Sequence, residues 1–196
     1  IAGSGNDYEL GETNAHYYAE YVIENINVAQ LQKAVNYVIK ENDALRLVIE
    51  PDGRQRVLKS VPMYSIETWR KKEDIRKAWS HHRYDLGMWP MFHFEVSQNE
   101  IDILHFSFDC LIMDAFSASL MLKQIFSIYN GEIPKKATMQ FEDYMRKICM
   151  NANTINARAE AYWMERLKKM PAAPKLPYQK KFDEVEKLLY KRLEYE

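Results

Sequence analysis

The stretch Ser107-Phe108-Asp109-Cys110-Leu111-Ile112-Met113-Asp114-Ala115-Phe116-Ser117 holds the residue types in this chain best suited to chemistry. Two carboxylates, Asp109 and Asp114, flank an apolar loop at the end of a run that reads as a buried strand. Charge is costly there unless it is paired or used. A carboxylate so placed could accept a proton or hold an N–H group of a substrate. The same pattern has a structural reading, in which Asp109 ends the strand and Asp114 or Ser117 caps the helix that follows. Spacing alone leaves both open. Cys110 offers a thiol, yet a cysteine among apolar neighbours with no base placed beside it reads as an inert small hydrophobe. His81-His82 makes a poor metal site, because adjacent side chains diverge and no third ligand stands at regular spacing; a solvated loop is the simpler reading. His105 reads as a histidine satisfied on a sheet face.

The elements that must position these residues follow from periodicity. His16 to Ile23 is rich in β-branched and aromatic residues and predicts a strand. Asn27 then caps a helix with Val28, Leu31, Ala34, Val35, Val38 and Ile39 on one face, ending near Glu41 to Asp43. A strand at Leu45 to Ile49, the turn Pro51-Asp52-Gly53 and a return at Arg54 to Leu58 make a hairpin, with a further strand at Tyr64 to Trp69. Lys71 to Tyr84 reads as helix, its His81-His82-Arg83 end being polar enough for a loop. Met91 to Ser97 and Ile101 to Phe108 are strands joined by Gln98-Asn99-Glu100, and the second is apolar at nearly every position, as a strand covered on both faces would be. After Asp114 the period becomes helical, from Ser117 to Asn130-Gly131. Two more helices are expected at Gln140 to Met150 and Thr154 to Lys169. The Pro-rich run from Pro171 to Pro177 reads as a linker. Phe182 to Glu196 fits helix or strand. This order predicts an α/β fold of the α+β sandwich kind, with helices packed on a largely antiparallel sheet.

Composition narrows the function classes. The 196 residues are 47% hydrophobic and 28% charged, which suits one sizeable core. The formal net charge is -1 and the 27 basic residues are scattered, so no basic face suits nucleic acid. No apolar run is long enough to cross a bilayer and no signal-peptide pattern opens the chain, which together with two cysteines expected to stay reduced, Cys110 and Cys149, points to the cytoplasm.

The motifs then converge on a known family. Asp109, Asp114 and Ser117 match the DxxxxDxxS pattern that heterocyclization domains of nonribosomal peptide synthetases carry where ordinary condensation domains have HHxxxDG. Asn42-Asp43-Ala44-Leu45-Arg46-Leu47-Val48-Ile49 resembles the RHxxLRxxF segment, with the leading Arg-His absent and the inner Leu-Arg kept. Met170-Pro171-Ala172-Ala173-Pro174-Lys175-Leu176-Pro177-Tyr178 resembles LPxxPxLPL, altered at its two outer hydrophobic positions. Trp89-Pro90-Met91-Phe92 and Ala161-Tyr162-Trp163 look like further landmarks, and Ile1-Ala2-Gly3 resembles the end of FPLTxxQxAYxxGR.

The resemblance implies a chloramphenicol-acetyltransferase-like lobe over residues 1–169, with residues 170–196 a linker toward a C-terminal lobe that would complete a tunnel-shaped active site. It implies an enzyme that joins acyl and aminoacyl thioesters and cyclodehydrates Cys, Ser or Thr to thiazoline or oxazoline rings, this lobe alone being inactive. The substrates would ride on phosphopantetheine arms of carrier proteins, beside an adenylation domain and with no directly bound cofactor or metal. Asp109 would face the tunnel, Asp114 would pair with Arg46 to hold the loop, and Ser117 would be a cap or a chemical group. Cys110, where ordinary condensation domains have their second histidine, leaves a nucleophilic thiol as the sharper alternative. A non-catalytic domain that binds carrier proteins or acyl groups would keep the landmarks and need neither carboxylate. An ordinary amide-forming condensation domain would require the two absent histidines.

Overall fold

The computed structural model describes residues 15–133, 135, 138–174 and 177, and only the backbone over 151–155. The readings made for Ile1-Ala2-Gly3, for Lys175, Leu176 and Tyr178, and for Phe182 to Glu196 lie outside the described residues. Strand β1 (His16–Val22) leads into helix α1 (Val28–Glu41). As its sequence predicts, Asn27 caps α1 by accepting the Gln30 N–H at 3.1 Å. Leu31, Ala34, Val35, Val38 and Ile39 form the buried stripe. The hairpin is β2 (Leu47–Ile49) against β3 (Gln55–Val57), forming a small separate sheet. Residues Asp43–Arg46 form a 3-10 turn in place of the expected start of β2, because Arg46 finds Asp43 three residues back on the same turn.

Strands β4 (Glu67–Trp69), β5 (Phe92–Ser97) and β6 (Ile103–Asp109) join β1 in one sheet of order β1-β6-β5-β4. All pairs are antiparallel except β4 with β5. Helix α2 (Lys72–Trp79) is shorter than its sequence suggests, and His81 to Tyr84 lie outside it. Helix α3 (Ala115–Tyr129) starts before Ser117, since Asp114 is its cap. The two helices expected after residue 140 are a single helix, α4 (Phe141–Leu167). No Pro or Gly stands within that span to interrupt it.

The sheet has two unlike faces. Phe92, Phe94, Phe106 and Phe108 share one face with Tyr17 and join the buried stripes of α1 and α3 in one cluster. Phe94 and Phe106 stack at 4.5 Å between ring centroids. The opposite face presents His16, Tyr18 and Glu20 of β1, His93, Glu95 and Ser97 of β5, and His105, Ser107 and Asp109 of β6. Helix α2 covers it: Arg76 makes a bidentate contact with Glu20 at 2.6 Å, and Trp79 stacks on His93. Strand β6 is thus buried along its whole length, as expected, but its two faces differ in chemistry. Among the described residues no helix is long and apolar enough to cross a membrane.

Candidate functional site

The loop 109–114 is built by a chain of hydrogen bonds from the last residue of β6. The Asp109 N–H donates to Met91 O at 3.0 Å, and the Cys110 N–H to Ala15 O at 2.7 Å, so the strand end is tied on both sides. Asp109 then closes a turn on itself: its Oδ1 accepts the Leu111 N–H at 2.9 Å and its carbonyl accepts the Ile112 N–H at 3.1 Å. Ile112 and Met113 anchor the loop in the core, and the chain emerges at Asp114. The spacing of the two carboxylates therefore spans a buried plug, and the residues end in opposite environments.

Asp109 is 1% exposed, inside the lobe and off its open surface. Burial raises its carboxyl above the ordinary range, and the single Leu111 N–H only partly opposes this. Tyr84 lies beside it, buried, with its hydroxyl 2.5 Å from Ser107 Oγ. Burial also raises the Tyr84 phenol, and the charges of Tyr64, Asp109 and Glu95 add to that rise. Asp114 is fully exposed. Its Oδ1 accepts the Ser117 N–H at 2.7 Å, and this bond, with the Ser117 hydroxyl, lowers its carboxyl. The structure thus brings Asp114 and Ser117 together as a helix cap.

The expected Arg46–Asp114 pair is not formed. Arg46 binds Asp43 at 2.5 Å and donates to the carbonyls of Ile39 at 3.2 Å and Leu58 at 2.6 Å, all near it in sequence. Asp114 needs no cation, because the first N–H groups of α3 already serve it. Arg46 instead fastens the 3-10 turn to α1 and to the segment after β3. Cys110 is free and exposed, and partial burial followed by the Asp109 charge raises its thiol, which depletes the thiolate a nucleophile requires. Cys149 is likewise free and exposed.

His105 is satisfied on the sheet face, with Nδ1 2.7 Å from the Tyr18 hydroxyl and Nε2 2.9 Å from Ser97 Oγ. His81 is exposed, whereas His82 packs on Trp79 at 4.4 Å and Tyr84 at 4.7 Å between centroids, so only half of that pair is solvated. Among the described residues, no group of three or more acidic, Cys or His side chains could hold a metal ion.

Sequence reasoning missed His16 and Tyr84. His16 is the Cα partner of Asp109 across β1 and β6, and its ring lies 6.0 Å from that of Tyr84. The alternation of His105 and Ser107 in β6, and of His93, Glu95 and Ser97 in β5, was the signal for a polar face that needs partners.

This lobe, a mostly antiparallel sheet with a strand-end acidic loop running into a helix, has close counterparts. The Condensation domain family model matches residues 9–194, and the chain belongs to that family. Pyochelin synthetase PchE of Pseudomonas aeruginosa is 25% identical over 190 residues, which cover 89% of this chain and 13% of that protein. Phenyloxazoline synthase MbtB of Mycobacterium tuberculosis is 22% identical over 191 residues, again 89% of this chain and 13% of the relative. Among solved structures, the cyclization-docking bidomain of the nonribosomal peptide synthetase EpoB from Sorangium cellulosum superposes with a TM-score of 0.78 at 24% identity, covering 93% of this chain and 39% of that one. The chain therefore spans about an eighth of the length of these curated relatives, and the expected condensation-domain, chloramphenicol-acetyltransferase-like lobe is the observed fold.

Proposed function

We propose that this chain forms part of a heterocyclization domain of a nonribosomal peptide synthetase, one that condenses carrier-bound acyl and aminoacyl thioesters and cyclodehydrates Cys, Ser or Thr to a thiazoline or oxazoline. The observation that carries the reading is a carboxylate, Asp109, at the strand end where ordinary condensation domains have histidine, in a chain similar to PchE and to the EpoB cyclization domain. In the first step the acceptor amine attacks the donor thioester carbonyl, the C–S bond breaks, and a proton leaves the nitrogen. In the second, the side-chain thiol or hydroxyl attacks the new amide carbonyl and water departs. Both pass through an oxyanion and both need a proton acceptor. A carboxyl that burial raises above the ordinary range suits that exchange, and Asp109 is the residue assigned to it. Asp114 and Ser117 hold the start of α3, and Arg46 supports the turn before β2.

The partners on this reading are carrier proteins bearing phosphopantetheine arms, an adenylation domain, and a C-terminal lobe joined through residues 170–196. In support of a covering lobe, α4 leaves Phe141, Tyr144, Tyr162 and Trp163 more than half exposed.

A second reading, a condensation-like domain that binds carrier proteins without chemistry, is favoured by two observations: Asp109 is closed off from solvent and Asp114 is spent on a cap. The deciding experiment supplies the full-length protein with loaded carrier proteins and quantifies linear amide and ring separately by mass spectrometry. Asp109→Asn should lower product formation by about a hundredfold, the scale of lost acid–base help, while the melting temperature holds. Full activity in that variant would sink the carboxylate mechanism, and no product from the wild-type protein would favour the binding domain.

A further inference from the structure

The polar face holds one side-chain nitrogen whose isolation is unusual. His16 Nε2 is shut off from solvent and has no hydrogen-bond partner among the described residues. Leaving a buried polar atom unpaired is destabilising, and such atoms are few in folded proteins. Directly across the strand pair stands the buried carboxyl of Asp109. Side chains of opposed residues project from the same face, with Cβ atoms about 5 Å apart.

We infer that His16 is a positioning residue for Asp109, its unpaired Nε2 forming one end of a proton-sharing pair whose other end is the Asp109 carboxyl. This rests on the reading of Asp109 as the acid–base group of the condensation. The surroundings leave the two groups for each other. The Leu111 N–H holds Asp109 Oδ1, and Oδ2 accepts no hydrogen bond among the described residues. The Tyr84 hydroxyl is engaged by Ser107, and its ring walls the pair on one side. His81 and His82, in the segment after α2, are the titratable groups whose charge acts on His16, and both are cationic when protonated. Burial, then His82 and His81, bring His16 down to about 4, while burial raises Asp109, so the affinities of the two sites for a proton converge. The exchange moves one proton from carboxyl oxygen to imidazole nitrogen, leaving carboxylate and imidazolium, with no other bond changed. His16 thereby sets both the orientation and the charge that Asp109 presents to a substrate amine.

Two measurements test this, one of them independent of the functional reading. In the first, the chain is labelled with 15N-histidine and His16 is titrated by NMR in the wild type and in Asp109→Asn. A shared proton has two places to sit and a lone imidazole has one, so the His16 midpoint should fall by about half a unit or more in the variant. In the second, His16→Gln and His16→Asn in the full-length protein should lower the rate of amide formation about tenfold near neutral pH and change the shape of the pH–rate profile, with the melting temperature kept. A His16 midpoint unmoved by Asp109→Asn, or wild-type rates at every pH in both His16 variants, overturns the inference. If the wild-type protein forms no amide, the functional reading falls, and the NMR midpoint alone decides the pair.

Discussion

The two faces of the β1-β6-β5-β4 sheet are both covered by helices and differently held. Under α1 and α3, four phenylalanines on adjacent strands pack ring to ring, and specificity comes from shape. Under α2, the contacts are individually directed: Ser97 to His105, His105 to Tyr18, Tyr18 to Glu20, Glu20 to Arg76, and Tyr84 to Ser107. A dense apolar layer stays in place whatever the protonation state, whereas a network of this kind depends on it. The acidic loop grows from the polar face, so its carboxyl sits where charge and protonation respond to neighbours. The apolar face supplies the rigid backing.

The sharpest way to break this contrast is to cut each face once. Phe106→Ala should cost about 3–5 kcal/mol in urea unfolding, the scale of a large-to-small change in a packed core. Ser107→Ala, its neighbour on the same strand, should cost about 1–3 kcal/mol by leaving the Tyr84 hydroxyl buried and unpaired. Equal losses would mean that the two faces are not distinct in kind.

The next effect separates the faces by pH. Burial pushes the Glu20 carboxyl up, but the hydrogen bonds from Arg76 and Tyr18 and the Arg76 charge prevail and bring it from 4.5 to about 2. A depressed carboxylate contributes stability that is present above its unfolded value and lost as pH falls toward the folded one. Urea melts should therefore show a loss between pH 4.5 and about 2 that Arg76→Met reduces. Phe106→Ala should leave that slope unchanged. An Arg76→Met protein with the wild-type acid slope would remove Glu20 from the account.

The smallest effects concern the cap and the turn. Asp114→Ala should lower stability slightly by unfastening the first turn of α3. A double-mutant cycle of Arg46 with Asp43 should show coupling, and the cycle of Arg46 with Asp114 should be additive. Coupling in the second cycle would restore the pairing that the structure lacks.

Much of the frame was legible from local pattern. The Asn27 cap, the α1 stripe, the hairpin around Pro51-Asp52-Gly53 and the paired β5 and β6 strands all depend on residues close in sequence. The break expected between Met150 and Thr154 does not occur, because no Pro or Gly stands there to stop the helix. At the candidate site the residues were legible and their environments were not. The DxxxxDxxS spacing identified Asp109, Asp114 and Ser117, yet it could not tell that Ile112 and Met113 plug the core between the two carboxylates.

What the sequence determined by itself was the order of the strands and helices from β1 through α3 and the placement of an acidic loop between a buried strand and a helix, because period, caps and turns are contained within a few consecutive residues. Only the tertiary structure decided that Asp43 and not Asp114 receives Arg46, that Asp109 is enclosed while Asp114 is solvated, and that His16 stands opposite Asp109. Burial, ion-pair choice and strand register are set by groups far apart in the chain, and the free energy of a charge depends on all that surrounds it once those groups meet.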